Sequence, residues 1–284
     1  MKADLHIHSE YSFDGEKPVN EIIEQALNKG IDFISICDHN ETLGSLELSQ
    51  SEKIQSISGI EIDCYDGEIV HHILGYGCNL KDYRFQQIKT HYMNELMIAT
   101  QKRIDVFNSL FKIKLNLSEI AKEYPNKIIT NVEMTKYMFK HFDHDAFKPY
   151  LIGEKKNNAI ANFYWDYCSI DKAAYVPLDL PNTNDIIDLI HDTNGVSIIA
   201  HPMIMGVDLS YYDSLKTIDG IEACCSYHDK EQVKKVIQYA NNRDMLITCG
   251  SDYHGINKPN IEIGQHNEPF LNSNKWLTKL LDKI

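Results

Sequence analysis

No apolar stretch among the 284 residues approaches the roughly 18 consecutive positions that a membrane-spanning helix needs. The start, Met1-Lys2-Ala3-Asp4, runs straight into patterned sequence with no secretory leader. Both absences predict a soluble protein of the cytoplasm with no membrane partner. Cysteine pairs of the C-x-x-C kind are also missing. The seven cysteines are scattered, and Cys37, Cys64, Cys224 and Cys249 lie in or beside apolar runs, so they read as reduced core residues and not as a disulfide framework or a redox centre. Positive charge is scarce, with 28 Lys+Arg against 41 Asp+Glu and a formal charge of -13. Long nucleic acid is therefore not an expected partner, because binding it without regard to sequence takes a broad basic face that displaces counterions. Internal repeats, low-complexity tracts and Pro-rich linkers are absent as well.

What remains is an ordinary globular composition, 43% hydrophobic, in a chain long enough to bury a core without staples. Short apolar runs alternate with helical patterns over about the first 80 and the last 110 residues, which is how parallel βα units read. Strands are expected at 3–8, 31–37, 59–62, 70–76, 196–200, 221–224 and 245–249. Helices are expected at 18–29, with Gly30 as the stop, at 182–192 with Asn182 or Thr183 as cap and Gly195 as terminator, at 230–240 and at 274–281. Residues 85–172 differ. They lack convincing strands and read as helices at 88–110, 117–123 and 132–142, an inserted all-helical subdomain with 13 basic and 10 acidic residues, which leaves -16 on the rest.

Thirteen histidines are more than a surface or a core usually needs, and their placement is informative. His6 and His8 stand two apart on the first strand, so both side chains leave the same face and form a ready-made chelate. Asp14 follows in the next loop, His39 after the second strand, Glu61 after the third, His72 within the fourth, His201 after a later strand, and Asp252 and His254 after the last. His71 and His72 are neighbours on a strand and face opposite ways, so only one can join the group, and the Ile-Leu-Gly-Tyr that follows favours His72. Parallel α/β barrels gather their chemistry at strand C-termini, where all nine would meet at one mouth. Imidazole and carboxylate suit zinc, manganese or iron, and nine donors exceed what one closed site consumes, so the arithmetic favours two or three divalent ions. The absence of cysteine from the set points to an open, water-bearing site.

These segments, Asp4-Leu5-His6-Ile7-His8-Ser9, Cys37-Asp38-His39-Asn40, Gly59-Ile60-Glu61, His72-Ile73-Leu74-Gly75-Tyr76, Ala200-His201-Pro202 and Gly250-Ser251-Asp252-Tyr253-His254, resemble the polymerase and histidinol phosphatase (PHP) superfamily of metal-dependent phosphoesterases, and occur in family order. The likeness is closest to the branch with a helical insertion that hydrolyses small phosphorylated metabolites. It implies a distorted TIM-like (β/α)7 barrel formed by residues 1–84 and 173–284, with the insertion 85–172 forming part of the substrate pocket. It also implies a trinuclear site on His6, His8, Asp14, His39, Glu61, His72, His201, Asp252 and His254, with Glu61 bridging two ions. Two looser matches are His228, which resembles a family histidine near the substrate phosphate, and Lys172, which resembles a lysine reaching the site from the end of the insertion. AMP-hydrolysing relatives carry an Arg and a His in a Thr-Arg-x-His segment, whereas Thr130-Asn131-Val132-Glu133 has neither, which argues against AMP as the substrate.

The expected function is hydrolysis of a small phosphorylated metabolite (a nucleotide, sugar phosphate or cyclic phosphate) by a metal-activated hydroxide. Lys172 and His228 would hold the phosphoryl oxygens, and His201 or His228 would protonate the leaving group. Two rivals from other classes stand beside it. An amidohydrolase-type C-N hydrolase also uses H-x-H on its first strand, but usually with a bridging lysine that is not seen here. A non-catalytic accessory domain typically loses ligands that this chain keeps. A 3′ exonuclease or phosphodiesterase acting on short oligonucleotides is a further alternative.

Overall fold

Ala3, Leu5 and Ile7 alternate with Asp4 and His6, and the strand they form, β1 (Ala3–Ile7), is buried along its whole length, as a strand covered on both faces must be. β2 (Phe33–Ile36), β6 (Val196–Ile199) and β7 (Gly220–Cys224) are buried in the same way. A computed structural model describes residues 2–125, 127–215, 217–267 and 275–284. It divides into two compact units, Met1–Lys89 with Leu180–Ile284, and Thr90–Asp179.

The first unit is mixed α/β. A three-stranded sheet has the order β1-β2-β3, with β3 at Gln55–Ser56 and both pairings parallel. A five-stranded sheet has the order β4-β5-β6-β7-β8, with β4 at Gly59–Tyr65, β5 at Val70–Tyr76 and β8 at Leu246–Cys249. β6–β7 and β7–β8 are parallel, but β5 runs antiparallel to both β4 and β6. This corrects the expectation of parallel βα units throughout. Only four residues separate β4 from β5, far short of the dozen or so that a parallel crossover requires. Asp66 Oδ1 accepts the N–H groups of Glu68 and Ile69 at 2.9 Å, and Gly67 takes φ 104°, so the short connection closes as a hairpin turn.

The two sheets meet at their edges through main-chain bonds. His8 N–H donates to Tyr253 O at 2.9 Å and Asp252 N–H to His6 O at 2.8 Å, which ties the end of β1 to the segment after β8. Asn40 N–H donates to Glu61 O at 2.7 Å beside a parallel His39–Glu61 bridge, tying the end of β2 to β4. These segments carry six of the nine residues singled out above, His6, His8, His39, Glu61, Asp252 and His254.

Helix ends follow ordinary capping chemistry. α1 (Val19–Asn28) starts after Pro18 and stops at Gly30, φ 69°. Short α2 (Leu43–Leu48) follows β2. α3 (Tyr83–Phe111) runs from the first stretch of the first unit into the second unit, and begins five residues earlier than expected because Asp82 Oδ1 accepts the Arg84 N–H at 3.0 Å. α4 (Leu117–Glu123), α5 (Asn131–His141), α6 (Lys148–Leu151) and α7 (Ala159–Tyr167) complete the second unit around a core of Phe107, Phe111, Met134, Phe147 and Phe163. Thr130-Asn131-Val132-Glu133 is a capping box for α5: Thr130 Oγ1 accepts the Val132 N–H at 3.2 Å and Glu133 Oε2 accepts the Thr130 N–H at 3.0 Å.

Back in the first unit, Asn182 caps α8 (Thr183–Asp192), accepting the Asn184 N–H at 2.9 Å. The left-handed residue that ends α8 is Asn194, φ 64°, and not Gly195. Gly195 is needed for space, since a Cβ there would stand 2.3 Å from Cys78 Sγ. α9 (Lys230–Asn241) packs on β7, and α10 (Lys275–Leu281) on β8; the expected start of α10, Asn274, lies outside the described residues.

Gly250, just after β8, lets that strand approach β1: a Cβ there would stand 2.2 Å from His6 Cβ and 2.7 Å from His6 N. Gly250→Ala is expected to cost about 1–3 kcal/mol and lower the thermal midpoint by about 2–10 °C. Calorimetry checks this, and an unchanged midpoint would contradict the close approach.

Candidate metal centre

Successive residues of a strand face opposite ways, so His6 and His8 leave β1 on one side, and Glu61 leaves β4 toward them. The Glu61 carboxylate is fully buried and stands at the centre of five imidazoles. Its Oε2 lies 3.0 Å from His6 Nε2, 3.1 Å from His8 Nε2 and 3.4 Å from His39 Nε2. Its Oε1 lies 3.0 Å from His72 Nδ1 and 3.2 Å from His201 Nε2. Asp252 Oδ1 stands 3.1 Å from His8 Nε2, and Asp14 Oδ2 stands 3.1 Å from His254 Nε2 and 3.7 Å from His39 Nε2. All nine residues expected at the mouth are therefore brought together. Because β5 is reversed, His72 reaches the mouth from the N-terminal half of its strand, opposite Asp63. His71 leaves the other face of β5, where its Nε2 lies 2.7 Å from Asp66 Oδ2.

Donor atoms bound about 2.0–2.2 Å from one ion stand about 3.0–3.5 Å from each other, the spacing found here. Three sets have ligand atoms close enough to share an ion: His6, His8, Glu61 and Asp252; His8, Asp14, His39 and His254; and His39, Glu61 and His72. The ring nitrogens that face away are held. His6 Nδ1 lies 3.0 Å from Glu222 Oε1, His39 Nδ1 2.9 Å from Asp63 Oδ1, and His254 Nδ1 2.9 Å from the Asp252 carbonyl. Each contact takes an Nδ1 proton and turns the Nε2 lone pair inward, the arrangement that orients metal-binding imidazoles. Asp252 Oδ1 and His254 Nε2 are buried with no hydrogen-bond partner among the described residues, despite neighbours at 3.1 Å. Their lone pairs fit a cation rather than one another, so the residues present suit the divalent ions expected here.

The electrostatics agree. Burial pushes the Glu61, Asp14 and Asp252 carboxyls up, but the imidazoles around them, and for Asp252 first the Lys258 ammonium, outweigh it and hold all three well below the usual carboxylate range. His39, against its own desolvation, is raised to about 10 by Glu61, Asp63 and Asp14. The pocket thus demands positive charge. Its backbone also carries strain, with Asn40, His201 and Asp252 at φ 54°, 28° and 58°, conformations that cost about 1–3 kcal/mol each in residues other than glycine.

Four partners escaped the sequence analysis. Glu222 accepts from His6 and, through Oε2, from the His201 N–H at 2.8 Å. Asp63 holds His39 and accepts from Asn40 Nδ2 at 3.2 Å. Tyr227 OH donates to Asp252 Oδ2 at 2.5 Å, and Lys258 Nζ donates to the same oxygen at 2.7 Å. Glu222 had a signal, an acid inside a wholly buried strand, and Asp63 stands two residues after Glu61 on the same face. Lys258 had none. His228 lies beside the cluster, but its Nδ1 donates to the Ala223 carbonyl at 2.9 Å and its Nε2 accepts the Met203 N–H at 3.3 Å. Burial keeps that ring's pKa below its ordinary value. Both nitrogens are given to the backbone in this structure, tying Ala223 of β7 to Met203, where the resemblance implies a substrate contact. Lys172 is exposed in the second unit, in the turn after α7.

The PHP domain family matches residues 4–170 of the chain. A 5'-3' exoribonuclease of Haemophilus influenzae is 24% identical over 264 residues, which cover 89% of this chain and 90% of that one. The phosphoribosyl 1,2-cyclic phosphate 1,2-diphosphodiesterase of Eggerthella lenta is 24% identical over 275 residues, covering 90% and 95%. Among solved structures, an amidohydrolase of Chromobacterium violaceum with bound sulfate and no metal shares the fold at a TM-score of 0.80 and 18% identity, covering 100% of this chain and 97% of that one.

Because Asp63 fixes His39, Asp63→Asn is expected to weaken metal binding about 10–100-fold while leaving the far-ultraviolet circular dichroism unchanged. Competition against a metallochromic chelator measures it. Equal affinity in the two proteins would show that His39 needs no such partner.

Proposed function

We propose a function for a chain that belongs to the PHP domain family: it is a metal-dependent phosphoesterase that hydrolyses a phosphate ester of a small phosphorylated metabolite, a nucleotide, sugar phosphate or cyclic phosphate. The observation that carries this reading is the convergence of five imidazoles on the two oxygens of one buried glutamate, with Asp252, Asp14 and His254 against the same rings. Two relatives named for cleaving phosphodiesters, each aligned over about nine-tenths of both chains, support it.

An imidazole nitrogen serves one ion and a carboxylate can serve two. His6, His8, Glu61 and Asp252 would therefore hold one ion, Asp14, His39 and His254 a second, and Glu61 with His72 and His201 a third. Histidine and carboxylate suit Mn2+, Zn2+ or Fe2+. Bound there, such ions supply Lewis acidity and acidify water near neutral pH. The protein contributes the rest. Glu61 would offer one oxygen to each of two ions, Glu222 and Asp63 keep His6 and His39 in the ligating tautomer, and the apolar strands behind them exclude bulk water. The cluster opens where His72 and Asp14 are 26% and 21% exposed, and a phosphoryl group enters on that side. His228 has no part in proton transfer here.

A second substrate, the end of a short oligoribonucleotide, is favoured by the Haemophilus relative, while a net charge of -13 works against long strands. Seven free, buried cysteines fit a reducing, cytoplasmic setting, and no helix among the described residues is long and apolar enough to cross a membrane.

Metal-stripped protein is expected to be inactive and to regain turnover of a generic phosphoester with Mn2+, Zn2+ or Fe2+. Glu61→Gln is expected to lose bound metal and at least about 100-fold in rate. A panel of mononucleotides, sugar phosphates, cyclic phosphates, 5′-phosphorylated oligoribonucleotides and amides identifies the substrate. Undiminished activity after chelation, with metal loss verified by elemental analysis, refutes the mechanism, and turnover of amides alone refutes the substrate class.

A further inference from the structure

Lys258 is the cation that the structure sets against the centre. Its Nζ donates to Asp252 Oδ2 and to Tyr227 OH, both at 2.7 Å, and lies 5.3 Å from the Tyr227 ring centroid. An ammonium has three protons, and the third finds no acceptor among the described residues. The side chain is 34% exposed whereas that of Asp252 is 3% exposed, so the unspent N–H lies on the solvent side of the carboxylate.

The segment that carries Lys258 is fastened on both sides. Gly255 takes φ 68°, where a Cβ would stand 2.9 Å from Glu16 Oε2. Ile256 N–H donates to that same Glu16 oxygen at 2.8 Å. Asn257 Nδ2 donates to the Asp14 carbonyl at 2.7 Å, and the Lys258 N–H to the Gly255 carbonyl at 3.2 Å. A lysine held this way is preorganised, so little of its side-chain freedom remains to be lost on binding.

Charge decides what it would bind. Asp14, Glu61 and Asp252 with Asp63 and Glu222 supply five negative charges, and Lys258 one positive. Set against three divalent ions, they leave two positive charges uncompensated, the complement of a phosphate dianion. Asp252 Oδ2 meets the ammonium on one side, which leaves its remaining N–H for a second anion on the exposed side. Tyr227 already donates to Asp252 Oδ2, so orienting that carboxylate does not require the lysine.

We propose that Lys258 is a phosphate-binding residue whose free N–H takes a phosphoryl oxygen of the substrate at the open side of the centre, the task the sequence assigned to Lys172 and His228. This rests on the phosphoesterase reading and locates its anion subsite. Lysine serves here as a point charge that donates a charge-assisted hydrogen bond.

The test titrates inorganic phosphate into the Mn2+-loaded proteins by calorimetry and measures bound metal by elemental analysis. Wild type is expected to bind phosphate. Lys258→Met should keep its metal and bind phosphate about 10–30-fold more weakly, Lys258→Arg should return to within about threefold, and Tyr227→Phe should stay within about twofold of wild type. Unchanged phosphate affinity in metal-replete Lys258→Met overturns the proposal. Metal loss in that variant, or an equal loss of affinity in Tyr227→Phe, overturns it too, since the lysine would then act only through Asp252. If metal-loaded wild type binds no phosphate and cleaves no phosphoester, the phosphoesterase reading falls and this subsite with it.

Discussion

A carboxylate with no exposure to water dictates the design of this chain. Taking Glu61 out of solvent costs several kcal/mol unless positive charge meets it, and five ring nitrogens within 3.4 Å of its two oxygens are what the fold provides. Protonated imidazoles satisfy it only in part, because each proton placed among crowded rings repels the next. Divalent cations concentrate more charge in less space and accept the lone pairs that the rings would otherwise point at one another. The demand made by Glu61 is thus a demand for metal.

The rest of the first unit keeps those donors in place. The edges of the two sheets are joined by His8 to Tyr253, Asp252 to His6 and Asn40 to Glu61, so the ligands ride on main-chain hydrogen bonds and not on free loops. The reversed strand β5 delivers His72 from the side that a parallel strand would have turned away. Three left-handed residues, Asn40, His201 and Asp252, store strain at the strand ends, and the buried ladders behind them hold that strain in place. Behind the imidazoles a second set of acids, Glu222 and Asp63, fixes the proton on the outward nitrogen. Removing either would leave the ligands present and misdirected.

Much of this was legible in the residues because it obeys local rules. The period of two along a strand placed His6 beside His8 and separated His72 from His71, and the structure keeps both distinctions. The same rule, extended from Glu61 to Asp63, would have found the partner of His39. The four residues between β4 and β5 were already too few for a parallel crossover, so the reversal of β5 was readable as well. Glu222 was conspicuous as an acid in a buried strand, but which histidine it would serve depends on contacts 216 residues apart. Lys258 lies beyond any pattern: its place is set by the Gly255 turn, Glu16 and Asn257 acting together. His228 failed in the opposite sense, since a histidine after a strand looks alike whether its nitrogens face a substrate or the backbone.

Anomalous diffraction from crystals grown with Mn2+ is the most direct measurement of the central claim. The account predicts separate manganese peaks about 2.0–2.4 Å from each of the two Glu61 carboxylate oxygens, with the neighbouring imidazole nitrogens completing their coordination. A map in which Glu61 touches no manganese, or in which manganese occupies only surface carboxylates, would contradict it.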